Sequence, residues 1–179
     1  MEFGWVAPFV PPQFGIRAAE APWEFRAAYA LRRSVFCEEQ RIFAGDDRDA
    51  ADADAQTIVA VTYVMGIADR VVGTVRIHET APRRWTGSRL AIAPDCRGTY
   101  GLGAGLVHRA VATANAAGCD EFLATVQLAN VPFFRRLHWD DVGACEVQGH
   151  PHALMRADLD AYPPLASVAA TLLAARRAS

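Results

Sequence analysis

The sequence predicts an α+β domain, in which helices alternate with strands that include antiparallel pairs. Three observations lead there. Strand-like runs rich in β-branched and apolar residues cover Thr57–Met65, Val71–His78, Arg89–Ala93 and Glu121–Gln127. Helical spacing of apolar residues follows Trp23 and again fills Gly103–Ala117. The order is strand, helix, two antiparallel strands, strand, Gly-rich loop, helix, strand, helix, two strands, which is not a repeating βαβ series.

Each element has a local reason. Residues 1–14 read as an extended arm whose Trp5, Phe9 and Phe14 need cover from their own core or from a partner subunit. Ile16–Ala19 is a first strand. Pro22 suits an early helical position, and Phe25, Tyr29, Leu31, Val35 and Phe36 continue a helical stripe up to Gly45-Asp46-Asp47. Residues 46–54 form an acidic, Ala-rich loop, read here as solvated. Gly66–Arg70 is a hairpin-like turn, and residues 80–87, with Pro82 and Trp85, are a loop. Gly118 ends the helix begun at Gly103. Asn130–Leu137 is a short helix that tolerates Pro132 in its first turn. Val142–Gln148 and Ala153–Leu159 close a hairpin around Gly149-His150-Pro151. Ala166–Arg177, beyond Pro163-Pro164, reads as a helical tail. The expected organisation is an arm over 1–14, a domain over 15–160 and a tail over 161–179.

At 179 residues the chain fits one domain with a substantial core. A net charge of −2 and the absence of a basic tail give no sign of nucleic-acid affinity. Lysine is absent, so arginine carries the side-chain positive charge at neutral pH. The start of the chain lacks a basic n-region and is a poor signal peptide. No apolar run approaches a membrane span. Cys37, Cys96, Cys119 and Cys145 show no C-x-x-C pairing. The expectation is a cytoplasmic protein with reduced thiols.

The most informative stretch is Ser88–Val107: a short strand, a turn at Pro94-Asp95, the loop Arg97-Gly98-Thr99-Tyr100-Gly101-Leu102-Gly103-Ala104, then a helix. Such a loop aims backbone N–H groups at one spot, and the helix N-terminus adds positive potential. An arginine adds a bidentate donor fork. The combination points to an anionic ligand bearing a pyrophosphate. The loop lacks the Lys-Ser/Thr ending of a Walker motif.

These residues resemble the GNAT superfamily of acyl-CoA-dependent N-acyltransferases. The strand Leu90-Ala91-Ile92-Ala93-Pro94 and the loop after it match the family's central signature. Leu123-Ala124-Thr125-Val126, Asn130 and Phe133-Phe134-Arg135-Arg136-Leu137-His138-Trp139 match a second segment. Leu31-Arg32-Arg33-Ser34-Val35-Phe36-Cys37-Glu38-Glu39-Gln40 matches one branch of the family. The resemblance spans about residues 16–158. More narrowly, the chain resembles bacterial N-acetyltransferases associated with nitrilase-type nitrogen-metabolism gene clusters. It implies a six- to seven-stranded, mostly antiparallel sheet flanked by helices.

The resemblance also implies acetyl-CoA as cosubstrate, no metal, and direct transfer of an acetyl or short acyl group to an amine. The acceptor side is expected to be a small molecule, with no nucleic acid and no membrane; a homodimer is compatible with the arm and tail. Leu90, Ala91 and Ile92 would pair with the pantetheine arm, and an N–H there would polarise the thioester carbonyl. Arg97, Gly98, Thr99, Tyr100, Gly101, Leu102, Gly103 and Ala104 would hold the pyrophosphate, and Asn130 and Phe133 would touch the cofactor. Glu79, His78 and Glu39 are candidate proton acceptors, with a relayed water as an alternative. Phe36, Arg76 and Trp85 are candidate acceptor contacts.

Two departures from the family pattern stand out. The loop is one residue longer than the signature, and Phe134 replaces a tyrosine that protonates the leaving thiolate in many members. Tyr100 and His138 are the nearest alternative donors. Plainer readings accompany each residue. Asn130 suits a helix N-cap, Arg76 a solvated strand face, and Glu39 a helix-end surface. Glu79 suits a strand-end surface, and His150-Pro151-His152 a polar turn rather than a metal site. The functional alternatives are a non-catalytic CoA-binding or regulatory module and an acyl-homoserine-lactone-synthase-like enzyme.

Overall fold

A computed structural model describes residues 13–98, 101–165 and 171–174. The elements in order are β1 (Gln13–Ala18), α1 (Pro22–Arg33), a π-helical turn (Ser34–Glu39) and a short 3₁₀ turn (Ala50–Ala53). Then come β2 (Gln56–Val64), β3 (Ile67–Ala81), β4 (Arg84–Ile92), α2 (Leu102–Ala116) and β5 (Glu121–Gln127). The chain continues with α3 (Val131–Arg136), β6 (Trp139–Val147), β7 (His150–Ala157) and β8 (Thr171–Ala174). All strands belong to one sheet ordered β6-β7-β5-β4-β3-β2-β1-β8. Among the described residues only β4 and β5 pair in parallel, because α2 supplies the crossover a parallel pair requires. The expected α+β architecture is present as the strands from β1 to β7, with β8 added at one edge.

The sheet is covered on both faces. On one face Ile58, Val75, Ile77, Phe122 and Val126 pack against Leu106, Ala110 and Val111 of α2. On the other, Val59, Val61 and Val71 pack against Ala28 of α1. Burial on both sides explains why β2 reads as a continuous apolar run. Gly73 marks the closest approach of α2: a Cβ there would sit 2.8 Å from Leu106 Cδ1.

Three expectations change. Residues 80–87 are not an open loop. The reversal is confined to Pro82-Arg83, with Arg83 at φ 63°, while Trp85 and Thr86 pair with Glu79 and His78. Trp85 and Thr86 are good strand formers that also pair with β5, and this outweighs the turn signal of Pro82. The helical stripe through Phe36 changes pitch at Ser34 into a π turn, closed by Gln40 N–H donating to Val35 O at 2.9 Å. The tail is not helical at Thr171–Ala174, which pairs antiparallel with β1. An open sheet edge offers hydrogen bonds that override the helix preference of Ala and Leu. The arm over 1–12 and the rest of the tail lie outside the described residues, and Phe14 is a buried residue of β1.

Candidate active site

The site begins where the sheet splits. β4 and β5 pair from Arg84–Glu121 to Gly87–Ala124 and no further. Beyond Gly87 the β3–β4 register slips between Thr74 and Arg76, and Arg89 takes φ 56°. This bulge turns β4 away, leaving Leu90–Ile92 unpaired on the β5 side. At the fork, a Cβ on Gly87 would lie 2.9 Å from the Phe122 ring, so only glycine lets that ring sit there.

Two cavities open from the split. The outer cleft, of ≈ 560 Å³, is lined by Leu90, Ala91 and Ile92 of β4, by Cys96, Arg97, Gly98 and Gly101 of the loop, and by Gly103 and Ala104 of α2. Asn130, Phe133, Phe134, Val35 and Gln40 complete it. The inner cavity, of ≈ 110 Å³, shares Leu90, Asn130 and Phe134 with the cleft. It passes through the sheet and has two unlike halves. Toward α2 its walls are Val75, Val107, Ala110, Val111, Phe122 and Val126; toward the α1 side they include Ser88, Arg89, Thr125, Gln127 and His152 under Phe36, Ile42 and Phe43.

The glycine loop is built for backbone donation. Gly98 and Gly101 lie at φ 77° and 83°, a region other residues avoid. Gly101 caps α2 without a side-chain bond, so the first-turn amides have no intrahelical acceptor. Gly103 leaves the cleft open: a Cβ would meet Ile92 at 3.3 Å and Phe133 at 3.4 Å. Leu102, by contrast, turns its side chain into the core. Thr99 and Tyr100 lie outside the described residues.

Arg97 and Glu39 meet each other. Arg97 donates to both Glu39 carboxylate oxygens at 2.6 and 2.7 Å and to Ile92 O at 3.2 Å. This pairing holds the Glu39 carboxyl below its ordinary range and raises the guanidinium. The Glu39 carboxylate is thus the ion-pair partner of Arg97. The next residue, Gln40, accepts a bond from Gln127 at 2.9 Å. The end of the π turn therefore bridges the fork, Glu39 to the β4 side and Gln40 to the β5 side.

The acidic loop is not a solvated loop. Asp47 is buried and Asp52 nearly so, because they neutralise arginines that the sheet and α1 place beneath them. Arg32 binds Asp47 at 2.8 Å and Asp52 at 2.6 Å. Arg76 binds Asp49 at 2.6 Å, Asp52 at 3.0 Å and Ser88 Oγ at 3.0 Å. Arg89 binds Asp47 at 2.9 Å and Asp49 at 3.1 Å, with its guanidinium over the Phe43 ring. Burial alone would raise the Asp52 carboxyl, but bonds from Arg32 and the Asp49 amide, with the charge of Arg76, hold it well below the usual range. Arg76 is thus committed to structure rather than to an acceptor.

The other expected residues divide. Phe36 lines the inner cavity. Glu79 is exposed and lines neither cavity; its carboxylate accepts the Arg83 N–H at 2.7 Å and caps the β3–β4 turn. Trp85 packs on the main core at that same end of β4, with its indole N–H buried and unpartnered among the described residues. His78 is half-buried, its Nδ1 likewise unpartnered, and burial and then Arg76 push its pKa down. It lines neither cavity. His138 is exposed on a turn at φ 62°. Phe134 packs edge-on against Trp139, 5.1 Å between ring centres. Tyr162, bonded to Leu137 O and Trp139 Nε1, does not line either cavity.

His152 is the residue sequence reasoning missed. It is buried, lines the polar half of the inner cavity and stands opposite Gln127 in the β5–β7 register. Its Nδ1 lies 2.8 Å from His150 O. A ring N–H donated there leaves Nε2 as a lone-pair acceptor. The only signal was His150-Pro151-His152, which reads equally as a turn. Among the described residues, no His, Cys, Asp and Glu group could hold a metal ion, and no helix is long and apolar enough to cross a membrane.

Comparisons with known proteins follow the geometry. The sequence model of the acetyltransferase (GNAT) family matches residues 22–139. No curated protein matches in sequence. Among solved structures, a Lactobacillus plantarum protein described as a candidate N-acetyltransferase superposes with TM-score 0.71 at 24% identity, over 82% of this chain and 98% of its own. An acyl-CoA N-acyltransferase from Pseudomonas aeruginosa gives 0.64 at 20%, over 80% and 98%. A CoA-dependent acyl-homoserine lactone synthase, BjaI, solved with SAM and isopentyl-CoA, gives 0.68 at 17%, over 82% and 83%.

Proposed function

The chain belongs to the acetyltransferase (GNAT) family, and from that premise we propose that it moves an acyl group from acyl-CoA directly to the amine of a small-molecule acceptor. The observation that supports this most is the fork itself: one unpaired strand edge leads from a glycine turn and helix N-terminus to a polar cavity. The amides of Gly101–Ala104 bind the pyrophosphate. Arg97 exchanges the Glu39 carboxylate for a phosphate, since both accept its fork bidentately. The pantetheine arm pairs with Leu90–Ile92 and passes Asn130 and Phe133. The thioester carbonyl then lies by Leu90, where a backbone N–H polarises it.

The amine sits in the polar half, between Ser88, Thr125 and His152. Its nitrogen attacks the carbonyl carbon, the C–N bond forms and the C–S bond breaks. His152 Nε2 takes the proton from the amine. The sulfur leaves as thiolate and is protonated by solvent, which fits a phenylalanine at position 134. Orientation in the fork supplies a large share of the acceleration, beside the polarising N–H. The reading extends to a cytoplasmic bacterial enzyme of the nitrilase-cluster subgroup.

The test is calorimetric titration with CoA and acyl-CoA, followed by an amine screen with and without His152→Gln. CoA binding should be unchanged in the variant while kcat falls about 10²-fold, the usual share of a general base. Unchanged turnover would remove His152 from the mechanism. Absence of CoA binding by the folded protein would remove the acyltransferase reading.

A further inference from the structure

We infer that the acyl group this protein carries is larger than acetyl: a short aliphatic acyl chain with at most about four carbons beyond the carbonyl, seated in the α2-side half of the inner cavity. The inference rests on the reading of the fork as the thioester site. Leu90 and Phe134 border both the outer cleft and the inner cavity. A thioester carbonyl at Leu90 therefore directs whatever follows it inward, between α2 and β5. An acetyl methyl would end at that threshold.

The space beyond is chemically one-sided. Val107, Ala110 and Val111 of α2 face Phe122 and Val126 of β5 across it. The rear wall is Trp139, with Phe122 and Phe134 edge-on to its ring at 5.8 and 5.1 Å. Its one polar atom is already used, since Nε1 donates to Tyr162 OH at 3.0 Å. That half offers no side-chain hydrogen bond to an amine or to water, so neither the acceptor's nitrogen nor ordered solvent belongs there. Ser88, Arg89, Thr125, Gln127 and His152 lie on the other half and Asn130 at the opening shared with the cleft, which divides the cavity between a dry acyl end and a wet acceptor end.

Size sets the chain length. An apolar cavity of about 150 Å³ admits a six-carbon benzene ring, so the ≈ 110 Å³ here scales to about four carbons, counting the whole cavity as an upper bound. A core void of this size is destabilising when nothing fills it, and an aliphatic chain would replace the missing contacts.

The experiment is a series of acetyl-, butyryl-, isovaleryl-, hexanoyl- and decanoyl-CoA, with CoA as reference, measured by titration and by transfer to the amine identified in the screen. Each buried methylene should tighten binding about fourfold. Butyryl- and isovaleryl-CoA should then bind about tenfold or more tighter than acetyl-CoA, and decanoyl-CoA should lose that gain. Ala110→Leu fills the cavity from α2 and should return the preference to acetyl-CoA while leaving the affinity for CoA itself unchanged. Ala124→Val, a smaller change from β5, should act in the same direction if Ala110→Leu fails to fold, as thermal unfolding would show. Equal affinity along the series, or a preference untouched by both folded variants, overturns the acyl-chain inference and leaves the acyltransferase reading standing. Failure of CoA and all its thioesters to bind overturns that reading, and the inference with it.

Discussion

Replacing Asp52 by Asn tests the charge cluster that closes the loop 46–54 over the sheet. The change keeps shape and volume and removes one charge. Among the described residues, Arg32, Arg76 and Arg89 are balanced by Asp47, Asp49 and Asp52. Asp52 alone touches both Arg32 and Arg76, and it also accepts the Asp49 N–H at 2.9 Å. Both guanidinia are almost wholly buried, at 1% and 4% side-chain exposure, so solvent cannot take over. Removing one partner of a buried pair costs about 3–5 kcal/mol. Arg32 keeps Asp47 and Arg76 keeps Asp49, which places the expectation at the lower end, about 3 kcal/mol. For a chain of this size that is a fall in Tm of about 6–12 °C.

The pH dependence gives an independent reading of the same residue. The Asp52 carboxyl is held below its ordinary value in the fold, so the unfolded chain binds more protons in acid. The stabilisation is complete above the unfolded pKa of about 3.9 and is lost as pH falls through the folded value. Wild-type stability should therefore fall as pH drops below about 4, and Asp52→Asn should flatten that limb. Thermal unfolding followed by circular dichroism between pH 2 and 7 measures both effects. A Tm within about 2 °C of wild type at neutral pH, with an unchanged acid limb, would refute the reasoning.

Two further perturbations address the cofactor side. Arg97→Ala should weaken CoA binding about tenfold, the usual worth of a charge-assisted bond, whereas Glu39→Gln should tighten it by releasing Arg97; titration calorimetry reads both, and equal Kd values would mean the amides alone hold the pyrophosphate. Gly103→Leu should lower CoA affinity by more than about tenfold by filling the cleft beside Ile92 and Phe133, which a Cβ already meets at 3.3 and 3.4 Å; titration calorimetry reads the loss, and an unchanged Kd would refute it.

Much of this molecule is legible in the chain. The strand over Glu121–Gln127, the helix after the glycine loop and the run Leu90–Ile92 that lines the cleft follow from period, propensity and turn chemistry, which act over a few residues. So does the loop itself, because positive φ at Gly98 and Gly101 is a local demand that only glycine meets at little cost. What the chain could not announce is which charges would be buried. Asp49, Asp52 and Arg76 read as solvated because each is polar and each segment is locally unremarkable; they pair only when the loop closes over the sheet. His152 shows the same limit from the opposite side. Its neighbours His150 and Pro151 read as a turn from the sequence, although they are strand residues of β7, and its place at the cavity depends on β7 lying against β5 rather than on anything adjacent in sequence. Glu79 has the chemistry of a base but lies on β3 beside the β3–β4 turn and lines neither cavity. Sequence by itself determined the elements and the glycine loop, since their causes are local; tertiary structure alone decided the inner cavity and the ion pairs beside it, since desolvation and ion pairing depend on which distant segments share a face.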